Sequence, residues 1–175
     1  MEKTIKMRTK LMSLVCLLFI GGNLIFAQEQ SNVEDFLASL EGVEFKKTSA
    51  DSVLPQTYTL FIRQYINHDA TEDGIFTQKL YLSHFHDSLP TVMVTEGYRA
   101  RGNYLSEPAR MLDANQIIVE HRYFGESAPD SMNWAQLTTA NAAADHHHVY
   151  ETFSEFYQNH WISTGISKGG QTSIF

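Results

Sequence analysis

Residues 161–170 read WISTGISKGG: a strand-like run, Trp161 to Thr164, followed by Gly165-Ile166-Ser167-Lys168-Gly169. The spacing G-x-S-x-G is that of a nucleophile elbow, a sharp strand-to-helix turn that holds its serine in a strained backbone conformation. The residues two before and two after the serine must be small, and both are glycines. Two glycines around a serine also occur in ordinary turns, so the prediction of a nucleophile depends on the surrounding segments.

The segments before the elbow predict a mixed sheet with crossover helices. Two runs rich in β-branched and aromatic residues, 58–66 and 75–85, flank a turn and predict an antiparallel hairpin. Two short apolar runs, 91–95 and 116–120, are typical of parallel strands buried on both faces. Helices are predicted at residues 31–40, 107–112 and 141–159. This order predicts the α/β class, as the amino-terminal half of an α/β-hydrolase in which the cap and the carboxy-terminal strands are missing.

The order of triad residues in this fold bears on activity. The nucleophile is followed along the chain by Asp or Glu and then by His, so we expect both partners of Ser167 beyond Phe175. The histidines present all precede the serine: His68, His84, His86, His121, His146, His147, His148 and His160. We therefore expect these 175 residues to be inactive alone.

The first 27 residues predict a secretory signal peptide that is cleaved near Ala27. Four basic side chains precede an apolar stretch at residues 11–26, which is short and interrupted for a membrane-spanning helix of about 20 residues. A secreted or periplasmic protein without a stable membrane anchor is expected. Residues 28–56 are predicted to form an extension with a short helix and a linker. Residues 57–175 are predicted to form the amino-terminal part of the hydrolase domain.

Charge and composition exclude several classes of function. The chain has 13 Lys and Arg against 20 Asp and Glu, and without residues 1–27, which carry four basic and one acidic residue, the net charge is about −10. This charge argues against nucleic acid as a partner.

Cys16, the single cysteine, lies in the predicted signal peptide, which leaves the rest of the chain without a disulfide or a cysteine nucleophile. Consecutive histidines at 146–148 point about 100° apart on a helix and cannot all face one ion, so no metal is expected. The sequence has no glycine-rich phosphate loop and no cofactor fingerprint, so no cofactor is expected.

Four blocks of sequence resemble the secreted bacterial tripeptidyl aminopeptidases, which are serine peptidases with an α/β-hydrolase core and a helical cap. The blocks are EHRYFGESAP at 120–129, WAQLT at 134–138, NAAADH at 141–146 and WISTGISKGG at 161–170. Shorter similarities at 74–79 and 95–98 extend the resemblance over most of the chain after residue 27. The prolyl carboxypeptidase and dipeptidyl peptidase group is similar more distantly. The family usually has Gln-Pro where this chain has Gln64-Tyr65, and we expect that difference to alter the local turn only.

The resemblance implies a tripeptidyl or prolyl aminopeptidase-like serine peptidase. Its substrates would be peptides with a free amino terminus, often with proline before the scissile bond, and Ser167 would form the acyl-enzyme. One oxyanion donor would be the backbone N–H of Lys168, and the other would come from the backbone at Gly97 or Tyr98.

A carboxylate would bind the amine of such a substrate. Glu96, Glu120 and Glu126 lie near predicted strand ends, and each could equally be a structural hydrogen-bonding partner. Arg122 is expected to form ion pairs with Glu120 and Glu126 that fix the loop after the fourth predicted strand.

Two other functions fit the same residues. The chain could be a non-catalytic secreted binding module, or it could belong to an esterase or lipase of the same fold.

Overall fold

The computed structural model of the chain describes residues 32–48 and 56–175, so the predicted signal peptide lies outside the described residues. The chain divides into two compact units, residues 1–36 and 37–175. Of the first unit, only the beginning of helix α1 (Asn32–Ser39) is described. All of the described strands and the other described helices lie in the second unit.

The second unit is built on one sheet of six strands. In chain order its elements are β1 (Val43–Thr48), β2 (Gln56–Tyr65), β3 (Ile75–His84), β4 (Thr91–Thr95), α2 (Glu107–Met111), β5 (Asn115–Val119), α3 (Thr139–Ser154), β6 (Trp161–Gly165) and α4 (Lys168–Ser173). Short 3-10 turns lie at Thr71–Asp73 and Trp134–Gln136. The strand order across the sheet is β1-β2-β3-β5-β4-β6.

The pairing confirms the predicted hairpin and the parallel strands that follow it. Strands β1, β2, β3 and β5 pair antiparallel in succession, whereas β4 pairs parallel with β5 on one side and with β6 on the other. Thr95, at the end of β4, stands opposite Val119 of β5 and Gly165 of β6. The carboxyl ends of three strands therefore meet at one edge, which is where open α/β sheets place their ligands.

Strand β1 is an addition to the predicted sheet, since its segment was expected to hold only a helix and a linker. Its sequence, VEFKKT, contains three charged residues, and its side chains are half-buried or exposed along the whole strand. This is the pattern of an edge strand, where charged side chains limit pairing with other chains. Part of the predicted linker, residues 49–55, lies outside the described residues.

The central strands are the most deeply buried elements. Every residue of β4 and β5 is buried, as their continuous apolar runs predicted. Ser106 caps α2 by accepting a hydrogen bond from the N–H of Ala109 at 3.3 Å, and the helix packs its alanine side against the sheet. The resulting cluster consists of Val92, Val94, Ala100, Ala109, Ala114 and Ile118. Burial of each of its larger aliphatic side chains contributes about 1.5–3 kcal/mol, which anchors the loop between β4 and α2.

Helix α3 packs on the sheet through the residues predicted to form its apolar side. Thr138 caps the helix by accepting a hydrogen bond from the N–H of Asn141 at 3.1 Å. Val149 and Phe153, and Tyr157 just beyond the helix, are completely buried. None of the described helices is long and apolar enough to span a bilayer.

Candidate active site

Ser167 lies in the turn between β6 and α4 with a strained backbone. Its φ is 58° and its ψ is −122°, and positive φ is uncommon for a residue with a side chain. The side chain is exposed, and its hydroxyl forms no hydrogen bond with the described residues. A strained, exposed serine between a strand and a helix is the local geometry of a nucleophile elbow.

The glycines around Ser167 allow the elbow to pack directly on the end of β4. A Cβ on Gly165 would lie 2.3 Å from the hydroxyl oxygen of Thr95, and one on Gly169 would lie 1.9 Å from the Thr95 carbonyl oxygen. Gly97 faces the same contact from the other side, where a Cβ would lie 3.0 Å from the backbone nitrogen of Gly169. Glycine is therefore required at 165 and 169 because the backbone on both sides of Ser167 closely approaches the end of β4, and not because of the turn alone.

Thr95 joins β4 to the elbow and was not singled out by the sequence. Its buried Oγ1 lies 3.1 Å from the carbonyl oxygen of Thr164, 2.9 Å from that of Gly169 and 2.7 Å from Oγ of Ser173. One hydroxyl thus links the last residues of β6 with both ends of α4. The one indication in the sequence of a role for Thr95 was its position after the apolar run Val92-Met93-Val94 and immediately before Glu96-Gly97.

The structure brings the predicted oxyanion-hole residues together. Gly97 is buried against the elbow, and Tyr98 follows it with an exposed ring. The ammonium of Lys168 lies over two rings, 5.9 Å from the centroid of Tyr98 and 5.3 Å from that of Phe124. These two rings pack edge to face at 5.3 Å. The residues after β4, after β5 and after Ser167 therefore form one cluster.

Glu96 is a half-buried carboxylate at the carboxyl edge of the sheet. Its Oε1 accepts a hydrogen bond from the hydroxyl of Tyr104 at 3.0 Å, and its N–H donates to the Val119 carbonyl at 3.0 Å. Burial, together with the neighbouring Glu96 charge, raises the pKa of Tyr104 to about 12. No described residue donates a hydrogen bond to the other oxygen of Glu96.

Glu120 is completely buried and has three donors from the protein itself. Its Oε2 accepts from the N–H of Ala100 at 2.9 Å, and its Oε1 accepts from the N–H of Glu126 and the hydroxyl of Ser127, each at 2.8 Å. Gly125 passes so close that a Cβ there would lie 2.4 Å from Oε2. The carboxylate fixes the loops after β4 and β5, and no part of it is exposed for a substrate amine.

Glu126 has an exposed carboxylate that pairs with Lys79. Burial lowers the pKa of Lys79, but its hydrogen bonds to Glu126 and Tyr81 outweigh that effect and raise the pKa above its ordinary value. Lys79 also donates its backbone N–H to the Ser127 hydroxyl at 2.9 Å. Glu126 therefore lies on a strand-to-loop contact beside Glu120.

The partner of Arg122 is Asp145, so the expected ion pairs with Glu120 and Glu126 are wrong. Nε and one terminal nitrogen of Arg122 donate to the two oxygens of Asp145 at 2.7 and 2.8 Å. The remaining N–H groups donate to the carbonyls of Tyr65, Ile66 and Gln136 at 2.8–3.0 Å. A completely buried guanidinium needs all five donors satisfied, and α3 and the end of β2 supply the acceptors that the acidic loop does not.

The described histidines form no hydrogen bond with Ser167. Nε2 of His68 lies 2.7 Å from Asp145, but that carboxylate is held by Arg122. Burial lowers the pKa of His121; the nearby Lys168 charge acts in the same direction, and the hydrogen bond from Nδ1 of His121 to the Arg122 carbonyl opposes them. Within residues 32–48 and 56–175, no three His, Cys, Asp or Glu side chains are grouped as metal ligands.

His146 on α3 is a buried histidine, and neither of its ring nitrogens has a hydrogen-bond partner among residues 32–48 and 56–175. Burial lowers its pKa to about 4, although the adjacent Asp145 opposes the shift. The ring is therefore neutral near pH 7. The ring lines a pocket together with Thr172 and Ser173 of α4, and it forms no hydrogen bond with Ser167.

Comparisons with known proteins identify the family of the chain. Residues 28–175 match the family described as PS-10 peptidase S37. A prolyl tri/tetrapeptidyl aminopeptidase from Streptomyces mobaraensis is 34% identical over 150 residues, which cover 83% of this chain and 31% of that protein. The chain thus spans about a third of the length of this relative.

Among solved structures, similar chains include two esterases. Acetyl xylan esterase 1 from a Thermoanaerobacterium species is 14% identical, with a TM-score of 0.54 over 80% of this chain and 50% of that one. A cold-adapted esterase from an Arctic intertidal metagenomic library is 13% identical, with a TM-score of 0.49 over 73% and 56% of the two chains. At these identities the first likeness bears on the fold alone, which it supports as α/β-hydrolase. With its family match covering residues 28–175, the chain belongs to the PS-10 peptidase S37 family.

Proposed function

We propose that the chain supplies the nucleophile and the oxyanion hole of a serine peptidase that acts at the amino terminus of peptides. The observation that carries the proposal is the exposed Ser167 at positive φ in a turn packed on the end of β4. The relative from Streptomyces mobaraensis, a prolyl tri/tetrapeptidyl aminopeptidase, supports the same substrate class.

The proposed reaction is hydrolysis through an acyl-enzyme. Oγ of Ser167 attacks the carbonyl carbon of the scissile bond while its proton passes to a general base. The oxygen that becomes negative accepts hydrogen bonds from the Lys168 N–H and from an N–H at Gly97 or Tyr98. The amine leaves with the proton returned by the base, and water then cleaves the ester in the same way.

The base and the acid that orients it are proposed to follow Ser167 in the chain, in the Ser-Asp-His order of the fold. The His68–Asp145 pair does not replace them, because Asp145 already balances the charge of Arg122. Labelling of residues 28–175 alone by a fluorophosphonate probe would contradict this placement. It would mean that a base for Ser167 lies among these residues.

Glu96 is the proposed partner of the substrate's amino group. It is the one of the three predicted carboxylates that lies directly after β4, beside Gly97, with an oxygen that accepts no hydrogen bond from a described residue. Glu120 is enclosed by three donors, and Glu126 is paired with Lys79. An ammonium bound to Glu96 would fix the distance from the peptide's first residue to the scissile bond.

The proposal includes export, with cleavage of residues 1–27 after Ala27. The basic residues followed by the apolar stretch support it. Amino-terminal sequencing of protein recovered from the periplasm or the medium tests it. A mature sequence that begins at Gln28 is expected, and protein retained in the cytoplasm with Met1 intact would contradict export.

The central experiment compares the complete gene product with its Ser167→Ala variant on two substrates. We expect turnover of a tripeptide anilide with a free amine, much slower turnover of a short acyl ester, and fluorophosphonate labelling that Ser167→Ala abolishes. Preference for the ester would favour the esterase alternative. Absence of both labelling and turnover would favour the binding-module alternative.

The role of Glu96 is tested by Glu96→Gln, with Glu155→Gln at the exposed end of α3 as the matched control. Loss of the charge should raise KM for a free-amine tripeptide anilide about tenfold, the value of a charge-assisted hydrogen bond. Turnover of the N-acetylated substrate should not change. Equal effects on both substrates would show that Glu96 does not bind the amine.

A further inference from the structure

The side chain of Lys168 connects the two segments that would donate to the oxyanion. Its own backbone N–H is one proposed donor, and its ammonium lies over the ring of Tyr98, which belongs to the segment of the other donor. It also lies over Phe124, in the loop after β5. Both separations are within the roughly 6 Å over which a cation is attracted to a ring face.

The two rings are themselves held in place. Tyr98 and Phe124 pack edge to face, and Phe124 packs in the same way on His121 at 5.6 Å. The N–H of His121 donates to the Tyr98 carbonyl at 3.1 Å, and the N–H of Phe124 donates to the His121 carbonyl at 3.2 Å. The ammonium therefore binds to a platform that backbone hydrogen bonds already fix.

We infer that Lys168 is a positioning residue for the oxyanion hole. Its ammonium clamps the elbow to Tyr98 and Phe124, which keeps the N–H of Lys168 and the N–H after β4 at the separation that one oxygen requires. This role rests on the proposed peptidase function, because it concerns the same two donors. It differs from the role of the Lys168 backbone N–H, which every residue type except proline would supply at this position.

The chain contains a matched control for the loss of a cation over a ring. Lys47 on β1 lies 5.8 Å from the ring centroid of Tyr58, a separation like that of Lys168 from Tyr98. Lys47→Met removes the same kind of contact on the edge strand, away from the elbow. Its effect on catalysis should be negligible.

The test uses the complete gene product with Lys168→Met, Lys168→Arg, Phe124→Leu, the double variant Lys168→Met/Phe124→Leu, and Lys47→Met. A displaced donor should lower kcat of Lys168→Met on a tripeptide anilide by about 10- to 100-fold, with KM within about twofold. Lys168→Arg keeps the cation and should restore most of kcat. The double variant should be no slower than Lys168→Met, because each change breaks the same clamp.

Several results would overturn the inference. One is an unchanged kcat in Lys168→Met. Another is a rise in KM alone, which is expected if Lys168 contacts the substrate directly. The third is that the losses of kcat multiply in the double variant. The thermal unfolding midpoints of the same variants give a readout that does not need turnover. Non-additive shifts of the midpoint for Lys168→Met and Phe124→Leu support the clamp, whether or not the wild-type protein cleaves peptides. A wild-type protein that cleaves no peptide would refute the proposed function and leave the clamp standing. Additive shifts refute the clamp.

Discussion

The carbonyl oxygen of Thr95 occupies the space that a side chain on Gly169 would need, 1.9 Å from the position of its Cβ. The end of β4 and the first turn of α4 are thus in backbone-to-backbone contact. Neither partner can move aside as a flexible side chain could. The position of Ser167, two residues before Gly169, depends on this contact.

Gly169→Ala should therefore destabilise the fold by about 3 kcal/mol, the upper end of the usual cost of overpacking. Gly102→Ala is the matched control, because nothing lies within 4 Å of a Cβ at that position. Chemical unfolding of the two variants measures the difference. Equal stability of both variants would show that the contact at Thr95 relaxes freely.

In the complete gene product, Thr95→Val should lower stability by about 1–3 kcal/mol and slow the proposed labelling of Ser167 by a fluorophosphonate probe. The change keeps the shape of the side chain but removes a buried hydroxyl that can donate to the Thr164 or the Gly169 carbonyl and that lies 2.7 Å from Oγ of Ser173. Thr95→Ser keeps the hydroxyl and should retain the labelling rate. If the serine variant labels as slowly as the valine variant, the methyl group and not the hydroxyl is what matters.

Arg122→Met should destabilise the protein by about 3–5 kcal/mol, because it leaves Asp145 buried without its counter-charge. Asp145→Asn should have a similar effect, since it leaves the guanidinium uncompensated. Arg63→Met, on the exposed side of β2, is the control. Urea unfolding measures the stability of the three variants. A loss of stability below about 1 kcal/mol in Arg122→Met, which is the value of a surface ion pair, would contradict the buried pairing.

Stability should fall as the pH is lowered from 6.5 to 4, in part through His146. Burial lowers the pKa of His146 to about 4, so the unfolded chain, with a pKa near 6.5, takes up the proton first. The stability that the neutral ring contributes is complete above pH 6.5 and is lost as the pH falls towards 4. The size is at most about 3 kcal/mol, from about 1.4 kcal/mol for each pKa unit.

His146→Leu should reduce this slope, while His147→Gln, a change at the exposed neighbour, should leave it unaltered. Unfolding midpoints measured from pH 4 to 8 provide the test. Part of the slope should persist in His146→Leu, because burial lowers the pKa of His84 to about 4 as well. An unchanged slope in His146→Leu would mean that this ring titrates normally.

The elements with strong local signals were predictable from the sequence. Continuous apolar runs predicted β4 and β5, and glycine spacing at 165 and 169 predicted the elbow. Strand β1 was missed because its alternation of apolar and charged residues spans only 43–46 and ends at Lys47, and it contains no apolar run. The pairing of β1 with β2 depends on tertiary contacts, so it could not be predicted from the local composition.

The contacts within the site were harder to predict, because they join residues far apart in the chain. Arg122 stands close in sequence to two acidic residues, yet its carboxylate partner is Asp145, which only the packing of α3 brings near. Thr95 gains its role from Gly169, 74 residues later. The sequence proposes candidate site residues, whereas the sheet order decides which of them lie close together.

The five N–H donors of Arg122 also restrict the movement of the loop after β5. They tie the loop after β5 to the end of β2 and to α3, and the platform of Tyr98, His121 and Phe124 begins in that same loop. Three segments that lie far apart in the chain, at residues 65–66, 136 and 145, therefore hold this loop. Any movement of this loop would first have to break these buried hydrogen bonds.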